Sequence, residues 1–250
     1  MNSGPVCGSE GMLVEEFDEL DSTSLHARRL VESGRASERG GGGARLIVAA
    51  TQTDGLGRLG RAWMSPRGGL WLTLMWPMRG DLAAVTEGLG LRIGVACVRA
   101  IDGMLAGRGA AQLRWPNDVL IGGRKVLGVL TETMQSGEVS WVLVGVGVNA
   151  NFGAGELPPG LRREPATLRD VLGGPVDLTG LCDAIVQGLA GALRGRGVGA
   201  EELVYARLKL YGVGGEVSVR GGSGVLLGLG EDGRPQVRME SGEVVSGEAE

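Results

Sequence analysis

Three glycines that follow an apolar run place the strongest constraint on what this chain can fold into. Residues 51–76 read TQTDGLGRLGRAWMSPRGGLWLTLMW, and the segment from Gly55 spells G-x-G-x-x-G directly after the β-branched run at 45–51. In a dinucleotide-binding turn this spelling leads into a helix, whose N-terminus holds the pyrophosphate. Here turn-forming residues occupy 65–69, and the residues after them alternate like a strand. The sequence therefore argues against a doubly wound dinucleotide fold.

The rest of the chain alternates between strand-like and helix-like patterns. A strand at 12–20 precedes a helix at 21–34, which starts with Ser/Thr caps. Apolar spacing at 81–105 predicts one long, mostly buried helix, and the proline-containing stretch 152–177 has no period and is interpreted as a loop. Further strands are predicted at 111–116, 118–134 and 139–149, with a hairpin at Gly122–Gly123, and further helices at 178–195 and 200–212.

This order predicts an α+β fold with a mixed, mainly antiparallel sheet and flanking helices. From residue 213 the pattern changes to short strands separated by turns, which is typical of a small β-barrel of about 40 residues. We therefore predict two domains, at 12–211 and 212–250.

Composition and charge argue against several classes of function for this chain. The chain has 250 residues, of which 43% are hydrophobic, enough for a sizeable core. Its net charge of −4 argues against a nucleic-acid partner, because nucleic-acid binders usually carry a basic domain. A single histidine and three distant cysteines exclude multi-histidine and Cys-x-x-Cys metal sites. Without a signal-peptide pattern or a run of ~18 apolar residues, we expect a cytoplasmic protein with no membrane partner.

Three stretches combine polar side chains with a flexible backbone. In 52–63, Arg58 and Arg61 stand among glycines and can bind phosphate or carboxylate, although such a loop alone is weak evidence. In 114–132, Asn117 and Asp118 precede Lys125, yet a lysine at the start of a strand is usually solvated. The third stretch, 142–151, ends an apolar strand in G-V-G-V-N, which suits either a bound ligand or close packing of a buried strand.

Together, and in this order, the three stretches resemble the biotin protein ligase family. The loop at 52–63 is similar to the family's biotin loop, R-W-P-N-D at 114–118 with Lys125 is similar to K-W-P-N-D with its downstream lysine, and G-V-G-V-N at 145–149 is similar to G-I-G-I-N. D-S-T at 21–23 also matches the family's L-D-S-T. The resemblance covers 12–250 and implies a class II synthetase-like catalytic domain followed by an SH3-like C-terminal barrel.

The resemblance implies a two-step reaction with ATP, biotin and Mg²⁺. Biotin's carboxylate attacks the α-phosphate of ATP, and a lysine of a biotin carboxyl carrier domain then attacks the resulting biotinyl-5′-adenylate. Two alternatives stay open: a lipoate–protein ligase, which shares the fold and the adenylation chemistry, and a non-catalytic protein that senses biotin.

The same resemblance assigns roles to residues. Lys125, Arg58 and Asp118 are the catalytic candidates, because cations must neutralise two reacting anions and Asp118 is the candidate metal ligand. The implied biotin site contains Ser22, Thr23, Ser24, Gln52, Gly55, Leu56, Gly57, Arg58, Trp63, Lys125, Gly145 and Gly147. The implied ATP site contains Arg58, Arg61, Trp63, Asn117, Asp118, Lys125 and Asn149.

Leu56 departs from the family pattern, since many members have arginine at this position. If that arginine's side chain holds the adenylate, Leu56 weakens the contact; if only its backbone N–H is used, leucine is tolerated. About a dozen residues precede the predicted ligase domain, so we expect the monofunctional type without an N-terminal DNA-binding domain. We also expect a homodimer that pairs through strand edges.

Overall fold

The main element of the fold is a seven-stranded sheet. The computed structural model describes residues 11–36, 43–78, 82–161, 164–219 and 222–247. The sheet contains β1 (Leu13–Leu20), β2 (Arg45–Gln52), β3 (Leu70–Met78), β4 (Ala111–Arg114), β5 (Asp118–Ile121), β6 (Arg124–Ser136) and β7 (Val139–Val148). The strand order is β1-β2-β3-β7-β6-β5-β4. β1 and β2 are parallel and the other neighbours are antiparallel, which confirms the predicted α+β class with a mixed, mainly antiparallel sheet.

Helices cover the two faces of the sheet unequally. α1 (Thr23–Glu32) lies on one face over Trp141 and Leu143 of β7, and the Ser22 side chain caps its N-terminus. The opposite face packs against two long helices, and the valines at even-numbered positions of β7 join this larger core. No described helix has the length and apolarity that a bilayer crossing requires. The remaining helices are α2 (Leu82–Thr86), α3 (Leu89–Leu105), α4 (Leu168–Leu172), α5 (Leu178–Arg194) and α6 (Ala200–Lys209).

Two predictions about helices were wrong. The single helix predicted at 81–105 is divided into α2 and α3, because Gly88 has a φ of 64°, in the left-handed region that ends a right-handed helix. The predicted loop at 152–177 contains α4, whose N-terminus is capped by the Thr167 side chain. A five-residue helix is too short to produce a visible apolar period, so the sequence pattern could not reveal it.

The C-terminal residues form a second, four-stranded antiparallel sheet. It has the order β11-β10-β9-β8 and contains β8 (Glu216–Val219), β9 (Gly222–Leu229), β10 (Pro235–Met239) and β11 (Val244–Ser246). The indole N–H of Trp115 donates to the Gly233 carbonyl at 2.9 Å, and Arg207 Nε donates to the Leu229 carbonyl at 3.1 Å. Apolar residues of this sheet belong to the same core as α3 and α5. The boundary at residue 212 remains a prediction.

Candidate active site

A hydrogen-bonded polar cluster lies where the start of α1 meets the end of β2. The Thr23 backbone N–H and hydroxyl donate to Gln52 Oε1 at 2.8 and 3.1 Å, and Gln52 Nε2 donates to Ser65 Oγ at 2.7 Å. The Thr73 hydroxyl donates to Thr23 Oγ1 at 2.9 Å, and Ser24 Oγ lies 3.2 Å from Thr73 Oγ1. These mutual bonds fix the orientation of each polar group, so the cluster is ready to hold a polar ligand.

Three glycines form a floor without side chains beside this cluster. Gly145 and Gly147 stand two residues apart in β7, and Gly128 is the cross-strand partner of Gly147 in β6. A Cβ at Gly145 would lie 2.6 Å from Ser24 Oγ. A Cβ at Gly128 would lie 3.0 Å from the Trp63 ring, which also covers Gly147. Any larger residue would therefore fill the space above the sheet or displace the indole.

A lysine–aspartate pair lies at the far side of the floor. Lys125 Nζ is 2.8 Å from Asp118 Oδ1, and both side chains are about one-fifth exposed. The ammonium also lies 4.9 Å from the centre of the Trp63 ring, within range of a cation–π interaction. A Cβ at Gly128 would lie 2.9 Å from Lys125 Nζ, so the ammonium lies over the glycine floor, near the paired Gly128 and Gly147.

The backbone of Lys125 is fixed by two other segments. Its N–H donates to the Glu164 carbonyl at 3.0 Å, and the Ala166 N–H donates back to the Lys125 carbonyl at 2.9 Å. Asn149 Nδ2 donates to the carbonyls of Lys125 and Ala166 at 3.3 and 3.2 Å. The buried Asn149 thus holds together the two segments that position the lysine, a role that the sequence pattern did not predict.

The glycine loop is a short two-stranded ladder rather than the start of a helix. The Trp63 N–H donates to the Gly55 carbonyl and the Gly57 N–H to the Arg61 carbonyl, both at 2.7 Å. Gly55 is required here, because a Cβ would lie 2.7 Å from Ser65 Oγ. A single 3₁₀ turn at Arg58–Gly60 closes the ladder. Two arginines of the loop, Arg58 and Arg61, line the same cavity as the glycine floor.

These parts surround one cavity of about 570 Å³, a volume within the usual range for small-molecule sites. Its charged lining residues are Arg58, Arg61, Arg114, Lys125, Asp118 and Glu216. Four of them are basic and two acidic, so the lining favours anions.

Most of the predicted site residues line this cavity. They are Ser22, Thr23, Ser24, Gln52, Leu56, Gly57, Arg58, Arg61, Trp63, Asp118, Lys125, Gly145, Gly147 and Asn149. Gly55 and Asn117 do not line it. Gly55 is buried in the base of the loop, and Asn117 Nδ2 donates to the Val129 carbonyl at 3.1 Å. Asn117 Oδ1 is buried and has no hydrogen-bond partner among the described residues.

The sequence analysis missed several residues of the site. Ser65 and Thr73 complete the polar cluster, Gly128 completes the floor, and Arg114 adds a cation to the lining. The C-terminal sheet also lines the cavity, through Glu216–Val219, Leu226 and Pro235. Only Gly128 could have been found from the sequence, because it is a glycine on the same strand as the candidate lysine. The other missed residues reach the site through contacts between segments that are distant in the chain.

Comparisons with known proteins agree with this geometry. Residues 32–149 match the model of the biotin/lipoate A/B protein ligase family. A biotin–[acetyl-CoA-carboxylase] ligase from Paracoccus denitrificans is 36% identical over 177 residues, which are 68% of this chain and 68% of that protein. The bifunctional ligase/repressor BirA of Bacillus subtilis is 35% identical over 173 residues, 68% of this chain. The alignments span about half the length of the bifunctional relatives, 43% and 50% in two cases.

A solved structure extends the similarity to almost the whole chain. The biotin protein ligase from Aquifex aeolicus, in complex with biotin and ATP, superimposes with a TM-score of 0.71. The two chains are 28% identical, and the match covers 94% of this chain and 95% of the other.

Proposed function

Because the chain belongs to the biotin protein ligase family, we propose that it is an ATP-dependent biotin–protein ligase. It makes biotinyl-5′-adenylate and transfers biotin to a lysine of a biotin carboxyl carrier domain. One observation carries the proposal: the polar cluster around Gln52 and the Lys125–Asp118 pair open into the same cavity, on either side of the glycine floor. The cluster suits a cyclic urea, which both donates and accepts hydrogen bonds, and the cations suit a carboxylate and phosphates.

In the first step, a carboxylate oxygen of biotin attacks the α-phosphorus of ATP. The bond from that phosphorus to the β-phosphate oxygen breaks, and pyrophosphate leaves. Both reactants are anions, so their approach needs fixed positive charge. Lys125 supplies this charge at the sheet, and Arg58 and Arg61 supply it from the loop. Because these charges are already in place, they lower the reaction barrier without a rearrangement of the protein during the reaction.

In the second step, the neutral amine of the acceptor lysine attacks the acyl carbon of the adenylate. An amide bond forms, the bond from that carbon to the AMP oxygen breaks, and the amine loses a proton. Trp63 packs over Gly147 and beside Lys125, where its indole would shield the site from water. Exclusion of water matters here because the mixed anhydride would otherwise hydrolyse.

The residues present fit a Mg²⁺ ion that arrives with ATP. Among the described residues, no group of three or more His, Cys, Asp or Glu side chains could hold a metal ion. Asp118 offers one carboxylate at the cavity, so an ion would take most of its oxygen ligands from phosphates and water, as Mg²⁺ commonly does. When bound, Mg²⁺ would neutralise charge on the phosphates.

We further propose a cytoplasmic homodimer that acts on a carrier domain, without nucleic-acid or membrane partners. The two edges of the main sheet differ: Tyr211 N–H donates to the Leu113 carbonyl at 2.8 Å and covers β4, whereas β1 forms the opposite edge. An edge strand favours pairing with a second copy. Analytical ultracentrifugation of the wild-type chain tests this; a monomer at all concentrations would contradict it.

The decisive experiment supplies the purified chain with ATP and either biotin or lipoate. Pyrophosphate release is measured, and the acyl-adenylate is identified by mass spectrometry. We expect biotinyl-adenylate with biotin and none with lipoate. Lipoyl-adenylate as the preferred product would favour the lipoate ligase, and biotin binding without pyrophosphate release would favour a biotin sensor.

A further inference from the structure

Exposed apolar side chains concentrate at the opening of the cavity. Nine large apolar residues of the described chain are exposed, and four of them line this cavity. The four are Leu59, Met64, Leu161 and Tyr211. They come from the glycine loop, the segment before α4 and the second residue after α6, and we call them the cavity rim. Because exposed apolar residues gathered at one place mark interaction sites, the rim has the character of a contact surface.

Leu59 is held at the rim in a strained conformation. Its φ of 58° and ψ of 35° place it in the left-handed region, and the residue is 75% exposed. A residue with a Cβ costs about 1–2 kcal/mol there, and glycine or asparagine would be less strained. Within the described residues, an exposure of 75% leaves little packing to offset this strain, which points to a contact made with a partner.

One carboxylate of the cavity lining stands apart from the cations. Asp118 is paired with Lys125, whereas Glu216 at the start of β8 is exposed and has no ion-pair partner among the described residues. The basic residues of the lining would repel an ammonium group. Glu216 is therefore the one lining group in the described chain that could attract a positively charged lysine.

We propose that the cavity rim and Glu216 together form the docking surface for a folded carrier domain, whose acceptor lysine enters beside Glu216. The inference rests on the proposed function. Neither a free amine nor a nucleic-acid backbone would make use of the apolar rim, so a protein that presents a lysine between apolar residues fits best.

The first test replaces Leu59 with asparagine, which adopts the left-handed conformation readily. The biotin carboxyl carrier domain of an acetyl-CoA carboxylase serves as the acceptor. We expect Leu59→Asn to raise the KM for this domain about tenfold, the loss of one buried apolar contact, while biotinyl-adenylate synthesis without carrier is unchanged. Leu208→Asn, an equally exposed leucine that does not line the cavity, is the control and should transfer biotin like wild type.

The second test neutralises the carboxylate with Glu216→Gln. Transfer to the carrier should slow about threefold at low salt, and the difference should vanish at high salt, because screening removes steering between charges. Capture of the adenylate by hydroxylamine, which is neutral at pH 7, should not change. Glu243→Gln is the matched control, since Glu243 is exposed on the same small sheet but does not line the cavity.

The outcomes separate this proposal from the proposed function. If the wild-type chain makes no biotinyl-adenylate, the proposed function itself fails. If it makes adenylate but Leu59→Asn and Glu216→Gln transfer biotin to the carrier like wild type, the docking surface is wrong. Equal losses with carrier and with hydroxylamine would also overturn it, because the residues would then act on the adenylate rather than on a partner.

Discussion

The two faces of the seven-stranded sheet contain residues of the same strands but differ in how they are covered. Towards α3 and α5, the even-numbered positions of β7 from 142 to 148 are buried valines. Towards α1, the odd-numbered positions are Val139, Trp141 and Leu143, which pack in a smaller core, followed by Gly145 and Gly147. One face is therefore a continuous apolar core, whereas the other changes from core to candidate site along a single strand.

The cations on the two sides of the sheet also differ, in whether their hydrogen-bond donors are satisfied within the protein. On the helix side, the Arg92 guanidinium donates to four main-chain carbonyls, those of Val85, Glu87, Ala192 and Gly197. Burial lowers its pKa, but its hydrogen bonds are satisfied within the protein. On the site side, Lys125 has one carboxylate partner and stays partly exposed. A cation whose donors are satisfied stabilises the fold, while one with free donors can bind a substrate.

The largest effect is expected from removal of the site lysine. Lys125→Ala should slow biotinyl-adenylate synthesis about 100- to 1000-fold, as for the loss of one preorganised donor, while the fold stays intact. Biotin-dependent pyrophosphate release measures the rate, and thermal unfolding measures stability. The chain contains one other lysine, Lys209, which pairs with Asp102 away from the cavity, so Lys209→Ala should keep the rate. A Lys125→Ala enzyme with wild-type activity would remove the lysine from the mechanism.

Substitutions of arginine on the two sides of the sheet, Arg58 at the cavity and Arg92 on the helix side, provide the next comparison. Arg58→Gly should release the adenylate about 10- to 100-fold faster, because a charge-assisted hydrogen bond is worth roughly 1.5–3 kcal/mol, and free adenylate should then label serum albumin. Streptavidin blotting of a carrier–albumin mixture detects this. Arg92→Met should instead lower the free energy of unfolding by about 3 kcal/mol without leakage. Arg67→Gly is the control, because Arg67 lies outside the cavity, and it should hold the adenylate like wild type. Retention of the adenylate by Arg58→Gly would show that Arg58 does not hold it.

Paired changes in β7 compare the faces directly. Gly147→Val should weaken biotin binding about tenfold, because the new side chain meets the Trp63 indole. Val144→Ala, three residues away on the apolar face, should lower stability by about 2 kcal/mol with biotin affinity unchanged. Calorimetric titration and urea unfolding measure the two quantities. Equal effects of both variants on biotin affinity would mean that the faces are not separate in function.

The smallest effect concerns the polar start of α1. The Arg29 guanidinium beside Asp21 lowers the pKa of that carboxyl to about 2. A lowered pKa stabilises the folded state above the ordinary value of 3.8, and this contribution is lost as the pH falls towards 2. Both side chains are more than a third exposed, so Asp21→Asn should cost only about 0.5 kcal/mol at pH 7. Unfolding curves of the two proteins should converge as the pH falls to about 2, and a constant gap would contradict the pairing.

The sequence predicted most elements and the class of the fold because its periodic patterns are long. The alternation in β7 and the helical spacing of α5 extend over ten and seventeen residues, enough to distinguish a period of 2 from one of 3.6. The break at Gly88 was missed, since glycine occurs in helices as well as at their ends, and only packing selects its positive φ.

The candidate site, like the fold, has a part that could be predicted from the sequence and a part that could not. The sequence by itself predicted the chemistry, because the loop arginines, Lys125 and the glycines of β7 occur in motifs that resemble those of the biotin protein ligase family. Only the tertiary structure decided which residues meet. Thr73 joins the polar cluster through strand register, Gly128 lies opposite Gly147 for the same reason, and Glu216 lines the cavity because the small sheet docks there. Contacts between residues far apart in the chain depend on register and docking, and neither leaves a local pattern in the sequence.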